Sequence, residues 1–231
     1  MAGTLYVVAT PLGNLEDITL RALRVLKEVA LIACEDTRRT RILLTHFGIH
    51  VPVTSYFEHN KRLKGTRLLE TLQAGQSVAL VTDAGTPGIS DPGFLLVKQA
   101  WEAGIPVVPV PGPSAVVAAL SAAGVPADRF LFDGFLPVKP GRRVNRLKAL
   151  RDLETTVVVY ESPHRIVAAM EAIAEVFGET PVVVARELTK QFEEIVTAPP
   201  GEHLERLRAG TPRGEFAVVL PGRIVRAEDE D

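Results

Sequence analysis

Five short stretches of this chain combine the residue types that binding and chemistry need. They are Thr10-Pro11-Leu12-Gly13-Asn14, Glu35-Asp36-Thr37-Arg38, residues 83–93 (DAGTPGISDPG), Pro111-Gly112-Pro113-Ser114-Ala115 and Glu161-Ser162-Pro163-His164-Arg165. Glycine lets backbone approach a flat ligand closely, and proline fixes the turn that presents it. Ser114 precedes the small, apolar run 115–123, so the N–H groups of a helix start beside it are placed to receive a carboxylate. A single loop of this composition can equally be a plain turn. The stretch 83–93 is longer than a connection requires and reads as a binding loop.

What is missing narrows the ligand. The chain has neither G-x-x-x-x-G-K-[ST] nor G-x-G-x-x-G, so no nucleotide-phosphate fingerprint is present. Its histidines are His46, His50, His59, His164 and His203. Only His46 and His50 share an i, i+4 spacing, without a Glu between them, and they read as surface or packing. Cys34 is the single cysteine, which excludes an internal disulfide and a cysteine metal cluster and fits a reducing compartment. No metal is expected.

Charge is concentrated rather than abundant. The formal net charge is −2, yet Lys139, Arg142, Arg143, Arg146, Lys148 and Arg151 fall between 139 and 151 with no acidic residue among them. On a helix, Arg142 and Arg146 are one turn apart and can track a phosphate backbone, with Val144, Leu147 and Leu150 packing inward. The other reading is a solvated basic face. Arg38, Arg39 and Arg41, and Lys61, Arg62, Lys64 and Arg67, can extend such a patch.

The surrounding pattern says what positions these loops. Val-, Leu- and Ala-rich runs predict strands at 5–9, 31–34, 77–82, 106–110, 130–132, 155–160, 181–185, 194–198 and 216–220. Helical periodicity follows Leu20, Leu23, Leu26 and Ala30, and occupies 62–74, 92–103, 114–123 and 163–177. Gly75, Gly104 and Gly178 end three of those stretches. Alternation of the two predicts an α/β fold with largely parallel pairing and helices on both sheet faces. Each of the five loops follows a predicted strand, and in open α/β sheets ligands bind outside the carboxyl ends of strands. The Pro/Gly cluster at 111–113 suggests two lobes: an N-terminal α/β domain 1–112, a C-terminal α/β domain 113–225 and an acidic tail 226–231. No stretch reaches the roughly 18 apolar residues of a membrane span. Residues 1–4 carry no basic n-region, so the expected location is cytoplasmic, with no membrane partner.

The strings YVVATPLGNLEDIT (6–19), ACEDTR (33–38), SYFEHN (55–60), VTDAGTPGISDPG (81–93), VPGPSA (110–115), YESPHR (160–165), ARELTKQFEE (185–194) and GEFAVV (214–219) resemble the tetrapyrrole methylase superfamily, and within it the branch acting on ribosomal RNA. The resemblance covers almost the whole chain. It implies two α/β domains with S-adenosylmethionine in the cleft between them (a class III methyltransferase), usually as a homodimer. It implies 2′-O-methylation of a decoding-centre cytidine in 16S rRNA, offered as RNA or as the small ribosomal subunit. The first loop, 9–14, departs from the GxGxGD type of porphyrin-precursor members, which weighs against the alternative of a C-methylase of a tetrapyrrole or other small molecule. Many ribosomal members also continue with a helical extension beyond the position of Asp231.

Motif matching places Gly85, Thr86, Ile89, Ser114 and Ala115 at the cofactor. Pro11 and Tyr160 become wall residues, and Ala185, Phe216 and Ala217 close its adenine side. A ribose hydroxyl is a weak nucleophile, so a general base would help. The carboxylates near the loops are Asp36, Glu58, Glu161 and Glu187, of which Asp36 and Glu187 are preferred. Asp36 has a second reading, as the cap of the helix that follows it. Arg38, Arg142, Arg143, Arg146 and Arg165 are the expected RNA contacts. Arg38, Arg165 and Arg186 can instead pair with the nearby carboxylates.

Overall fold

A computed structural model describes residues 2–57, 61–91 and 93–222, without the side chains of Lys61 and Arg62. The acidic tail and Glu58 lie outside the described residues. The chain divides into two compact units between Ser114 and Ala115, where the sequence suggested a boundary after Gly112.

The first unit is built on a five-stranded parallel sheet of β1 (Leu5–Val8), β2 (Leu31–Cys34), β3 (Val53–Ser55), β4 (Val78–Leu80) and β5 (Val107–Val110), in the order β3-β2-β4-β1-β5. Period-2 alternation sends successive side chains to opposite faces. Val8, Ile32, Cys34 and Ala79 pack under α1 (Leu20–Glu28) and α2 (Thr37–His46). Leu5, Ala33, Val78 and Leu80 pack under α3 (Lys61–Gln73) and α4 (Phe94–Glu102). Thr19 caps α1, its hydroxyl accepting from Ala22 N at 3.1 Å. The short strand β3 is absent from the sequence expectation, because three residues are too few to show a period.

The second unit holds a mixed sheet of β6 (Phe130–Phe135), β7 (Thr156–Glu161), β8 (Val182–Arg186), β9 (Glu194–Ala198) and β10 (Phe216–Leu220), in the order β6-β7-β10-β8-β9. Only β6 and β7 pair in parallel; β10 runs antiparallel to β7 and β8, and β9 antiparallel to β8. The expectation of largely parallel pairing therefore fails here. Strands buried on both faces look alike in sequence whichever way they run. One face packs α5 (Ala115–Ala123). The other packs α6 (Pro140–Arg151), α7 (Ile166–Phe177) and α8 (Pro200–Arg208). Helix α8 has no counterpart among the predicted helices.

Candidate functional site

In the first unit β1, β2, β4 and β5 all run the same way, so the loops leaving their carboxyl ends gather at one sheet edge. Backbone ties three of them together. Thr10 N donates to Gly85 O at 2.9 Å and Gly85 N to Thr10 O at 3.0 Å, and the Thr10 hydroxyl donates to Thr82 O at 3.0 Å. The Thr86 hydroxyl donates to Pro113 O at 3.0 Å. Gly85 sits at φ +84°, and a Cβ there would meet Leu12 Cδ2 at 3.3 Å. Its glycine identity is required twice, by backbone and by space. Asp91 closes the long loop, its Oδ1 accepting from Gly93 N at 2.9 Å and Gly88 N at 3.3 Å. Ile89 is left 48% exposed, an apolar side chain offered beside a bed of backbone. Pro11 is buried, and Ser114 and Ala115 are half-buried.

The loop after β2 carries charge to the same edge, and its charges are committed. Asp36 Oδ1 accepts from Arg38 N at 2.8 Å, which caps α2, while Arg38 Nη2 donates to Asp36 Oδ2 at 2.8 Å. The Arg38 side-chain and backbone hydrogen bonds hold the Asp36 carboxyl down at about 2. A carboxylate that acidic is a poor proton acceptor. Asp36, expected as a general base, caps α2, and Arg38, expected on RNA, pairs with it while staying exposed. Asp83 joins the two loops, accepting from Asp36 N at 3.0 Å and lying 3.5 Å from Arg39 Nη1. Glu35, which the sequence reading passed over, has its carboxyl pushed up by partial burial and by Asp83 and Asp91.

In the second unit the carboxyl ends of β6, β7 and β8 share an edge with the starts of β9 and β10. Tyr160, Ala217, Ala185 and Ile195 stand in register across four strands. Phe132 and Phe135 meet the Tyr160 ring edge-on at 4.7 and 6.0 Å. Burial pushes the Tyr160 phenol up to about 12, against a backbone hydrogen bond with Val116 at the start of α5, so it stays protonated near neutrality. Tyr160, Ala185 and Ala217 thus share one face. Phe216 does not: it is buried in the cluster with α6, α7 and α8. Adjacent strand residues point oppositely, so the expectation that the side chains of Phe216 and Ala217 line one ligand is corrected.

Glu187 lies at the end of β8 in a strained turn, with Glu187 at φ +51° and Thr189 at φ +68°. Its Oε1 accepts from Lys190 Nζ at 2.8 Å and from Glu215 N at 3.0 Å. Burial raises this carboxyl, but the Lys190 and Glu215 hydrogen bonds and the nearby Arg186 outweigh it, and the group ends below the usual range. The second expected base is therefore also committed. Lys190 reaches it across a turn rather than along a helix, so no helical spacing announced the pair.

The basic helix divides. Lys139, Arg142 and Lys148 are exposed, and among the described residues none has a carboxylate partner. Arg146 pairs with Asp133, and Arg151 with Asp152 at 3.1 Å. Arg143 is 5% exposed and donates to Pro137 O at 3.1 Å and Val138 O at 2.9 Å. Arg165 donates to Leu136 O and lies 3.3 Å from Glu161 Oε2. The expected phosphate contacts Arg143 and Arg165 are thus turned inward. For Arg143 the signal was present: 143, 147 and 150 form one i, i+4, i+7 stripe, and Leu147 and Leu150 are its buried members.

Two further features lie apart from the Tyr160 row. A cavity of about 170 Å³ is lined by Val184, Glu194, His203, Arg206 and Phe216, on the α8 side of the sheet. His203 is buried with Nε2 3.0 Å from Val182 O, and burial lowers its pKa, so a neutral ring donates there. Among the described residues no group of three or more His, Cys, Asp or Glu is placed to hold a metal ion. Among them, too, no helix is long and apolar enough to cross a membrane.

Two α/β units whose strand-end loops present backbone and half-buried aromatic surface define a class of ligand-binding enzyme fold. A family model described as Tetrapyrrole (Corrin/Porphyrin) Methylases matches residues 4–203, and the chain belongs to that family. The Ribosomal RNA small subunit methyltransferase I of Pseudomonas aeruginosa is 53% identical over 224 residues, 96% of this chain and 79% of that protein. The protein of the same name from Escherichia coli O157:H7 is 51% identical over 232 residues, 99% of this chain and 80% of that protein. Among solved structures, a uroporphyrin-III-C-methyltransferase from Thermus thermophilus superposes with TM-score 0.65 at 24% identity over 94% of both chains. A cobalt precorrin-4 methyltransferase superposes with TM-score 0.71 at 20% identity, again over 94% of both. At those identities the two structures show the fold.

Proposed function

We propose that this chain is a cytoplasmic, homodimeric methyltransferase that uses S-adenosylmethionine to methylate the 2′-hydroxyl of a decoding-centre cytidine in 16S rRNA. What carries the substrate class is the α6 surface. In a chain of net charge −2, Lys139, Arg142 and Lys148 are each exposed along α6, cations of the kind that meet a phosphate backbone. The printed name of the relatives at 51% and 53% identity supports the same class.

The residues present suit the cofactor. Gly85 at φ +84° opens backbone to a flat ligand, Ile89 offers apolar surface, and Ala185 and Ala217 leave room beside Tyr160. We assign cofactor contact to Pro11, Gly85, Thr86, Ile89 and Ser114 in the first unit and to Ala115, Tyr160, Ala185 and Ala217 in the second. When bound, S-adenosylmethionine supplies an already activated methyl on a sulfonium, so the protein's task is alignment. Asp36 and Glu187 serve that alignment by holding their loops. The exposed cations of α6 bind RNA phosphates, with Arg146 contributing if RNA displaces Asp133.

The test is transfer of labelled methyl from S-adenosylmethionine to unmodified small-subunit RNA or subunits, followed by nucleoside analysis. The expected product is 2′-O-methylcytidine. Label on a base, or transfer only to a tetrapyrrole offered in parallel, would overturn the proposal.

A further inference from the structure

Glu161, Arg165 and Arg143 come from a strand end, the turn after it and a different helix, yet they act on one another. Arg143 Nε donates to Pro137 O at 3.1 Å and its Nη2 to Val138 O at 2.9 Å, while Arg165 donates to Leu136 O. Two guanidiniums therefore hold three consecutive carbonyls. Glu161 is 2% exposed; its Oε1 accepts from Ser162 N at 2.9 Å and its Oε2 lies 3.3 Å from Arg165 Nη2. Burial pushes its carboxyl up, and the Ser162 N–H, Arg165 and Arg143 pull the other way.

The held carbonyls sit at a junction. Phe135, just before them, meets Tyr160 edge-on at 6.0 Å. Lys139, just after them, is the N-cap residue of α6, and Arg142 lies in its first turn. Glu161 is itself the next residue after Tyr160. A buried carboxylate between guanidiniums is an expensive way to gain stability, since desolvation offsets much of the attraction. It is an effective way to fix geometry: the planar Arg143 guanidinium, held through Nε and Nη2, admits few arrangements, and Glu161 holds Arg165 in reach of Leu136 O.

We propose that Glu161 is a positioning residue for the RNA substrate: with Arg143 and Arg165 it locks residues 136–138, so that Lys139 and Arg142 stand at a set distance from Tyr160. The inference rests on the proposal that α6 binds RNA, and it gives Glu161 a role other than proton transfer. Glu161→Gln keeps the shape and the acceptor for Ser162 N, but leaves the half-buried Arg165 guanidinium without its ion-pair partner. Arg165→Lys keeps a charge beside Glu161 but loses the rigid placement of Nη2, the one nitrogen that serves both Glu161 and Leu136 O.

The experiment uses the full chain, with steady-state methyl transfer to unmodified small-subunit RNA, calorimetry with S-adenosylmethionine, and thermal melting. In Glu161→Gln the KM for RNA should rise about tenfold, as expected when the phosphate contacts of Lys139 and Arg142 are weakened. The kcat and the cofactor Kd should stay within about threefold, the pattern of lost uniform binding. Arg165→Lys should show the same split, smaller in size, and decides the matter if Glu161→Gln does not fold. Glu161→Asp, which restores the charge, should recover part of the KM. An unchanged RNA KM in both variants overturns the inference while the RNA reading stands. So does a fall in cofactor affinity that parallels the rise in KM. A wild-type protein that methylates no RNA overturns both.

Discussion

The two strand-end edges are built from different materials. In the first unit the loops after β1, β4 and β5 are joined by uncharged contacts, backbone to backbone between Thr10 and Gly85 and from the Thr86 hydroxyl to the Pro113 carbonyl, while Asp83 ties in the loop after β2. In the second, charged side chains do it, through Arg143, Glu161 and Arg165 on one side and Glu187, Lys190 and Glu215 on the other. A backbone contact such as Thr10–Gly85 leaves little room for a side chain and does not itself depend on charge. A charge-made edge keeps its shape only while every partner is present. Under the proposed function both edges meet the cofactor, and the charge-made one also sets the cations of α6 against a polyanion.

The largest effect should come from breaking the backbone edge. Gly85→Val forces a branched residue to φ +84° and brings its Cβ to 3.3 Å from Leu12 Cδ2. Backbone strain of this kind costs about 1–3 kcal/mol, so thermal melting should drop while calorimetry shows cofactor binding lost. A variant that melts and binds as wild type would mean that this edge does not meet the cofactor.

Two sets of cations on α6 sharpen the contrast between surface and buried charge. Reversing Lys139, Arg142 and Lys148 to Glu should leave the melting temperature and cofactor Kd near wild type. It should also reduce the slope of log affinity against log salt by about 0.7–0.9 per lost phosphate contact. Arg143→Glu should instead destabilise by about 3–5 kcal/mol, the cost of breaking a buried charge cluster, read as a lowered midpoint in denaturant. If Arg143→Glu folds normally and only RNA binding falls, the buried assignment is wrong.

The same pair shows how far the sequence reaches. Loops made of Gly and Pro announce themselves locally, and Gly85, Thr86 and Pro113 all fell within motifs that the structure brings together. A charged residue does not announce its partner. Asp133 for Arg146, Asp83 for Arg39 and Glu161 for Arg165 lie on other elements or across a turn, and composition cannot distinguish a paired arginine from an available one. Two misreadings were avoidable by geometry alone: strand alternation separates Phe216 from Ala217, and the α6 stripe includes Arg143. The antiparallel pairings of the second sheet were not legible, because strands buried on both faces look the same in either direction.

Smaller effects are expected at the two carboxylates. Losing a general base costs about 10²–10⁴-fold. By contrast, Asp36→Asn should change kcat by less than about threefold, since Asn caps a helix as well as Asp. Glu187→Gln should do the same if alignment is its only task. A loss of a hundredfold in either would restore a base role. Asp36 also carries a pH signature: its folded pKa of about 2 lies below the unfolded value near 3.9. The stability it contributes is therefore whole above about pH 4 and is lost as pH falls through about 2. Acid melting curves of wild type and Asp36→Asn should converge across that window and stay parallel above it.

The proposed activity stands or falls most directly on a mass map of ribose-methylated nucleotides in small-subunit ribosomal RNA, compared between cells with the gene and cells without it. The predicted result is one 2′-O-methyl group that disappears from a decoding-centre cytidine, returns with the wild-type chain and fails to return with the Lys139, Arg142 and Lys148 reversal. An unchanged map in the deleted strain, or loss of a methyl carried on a base, would contradict it.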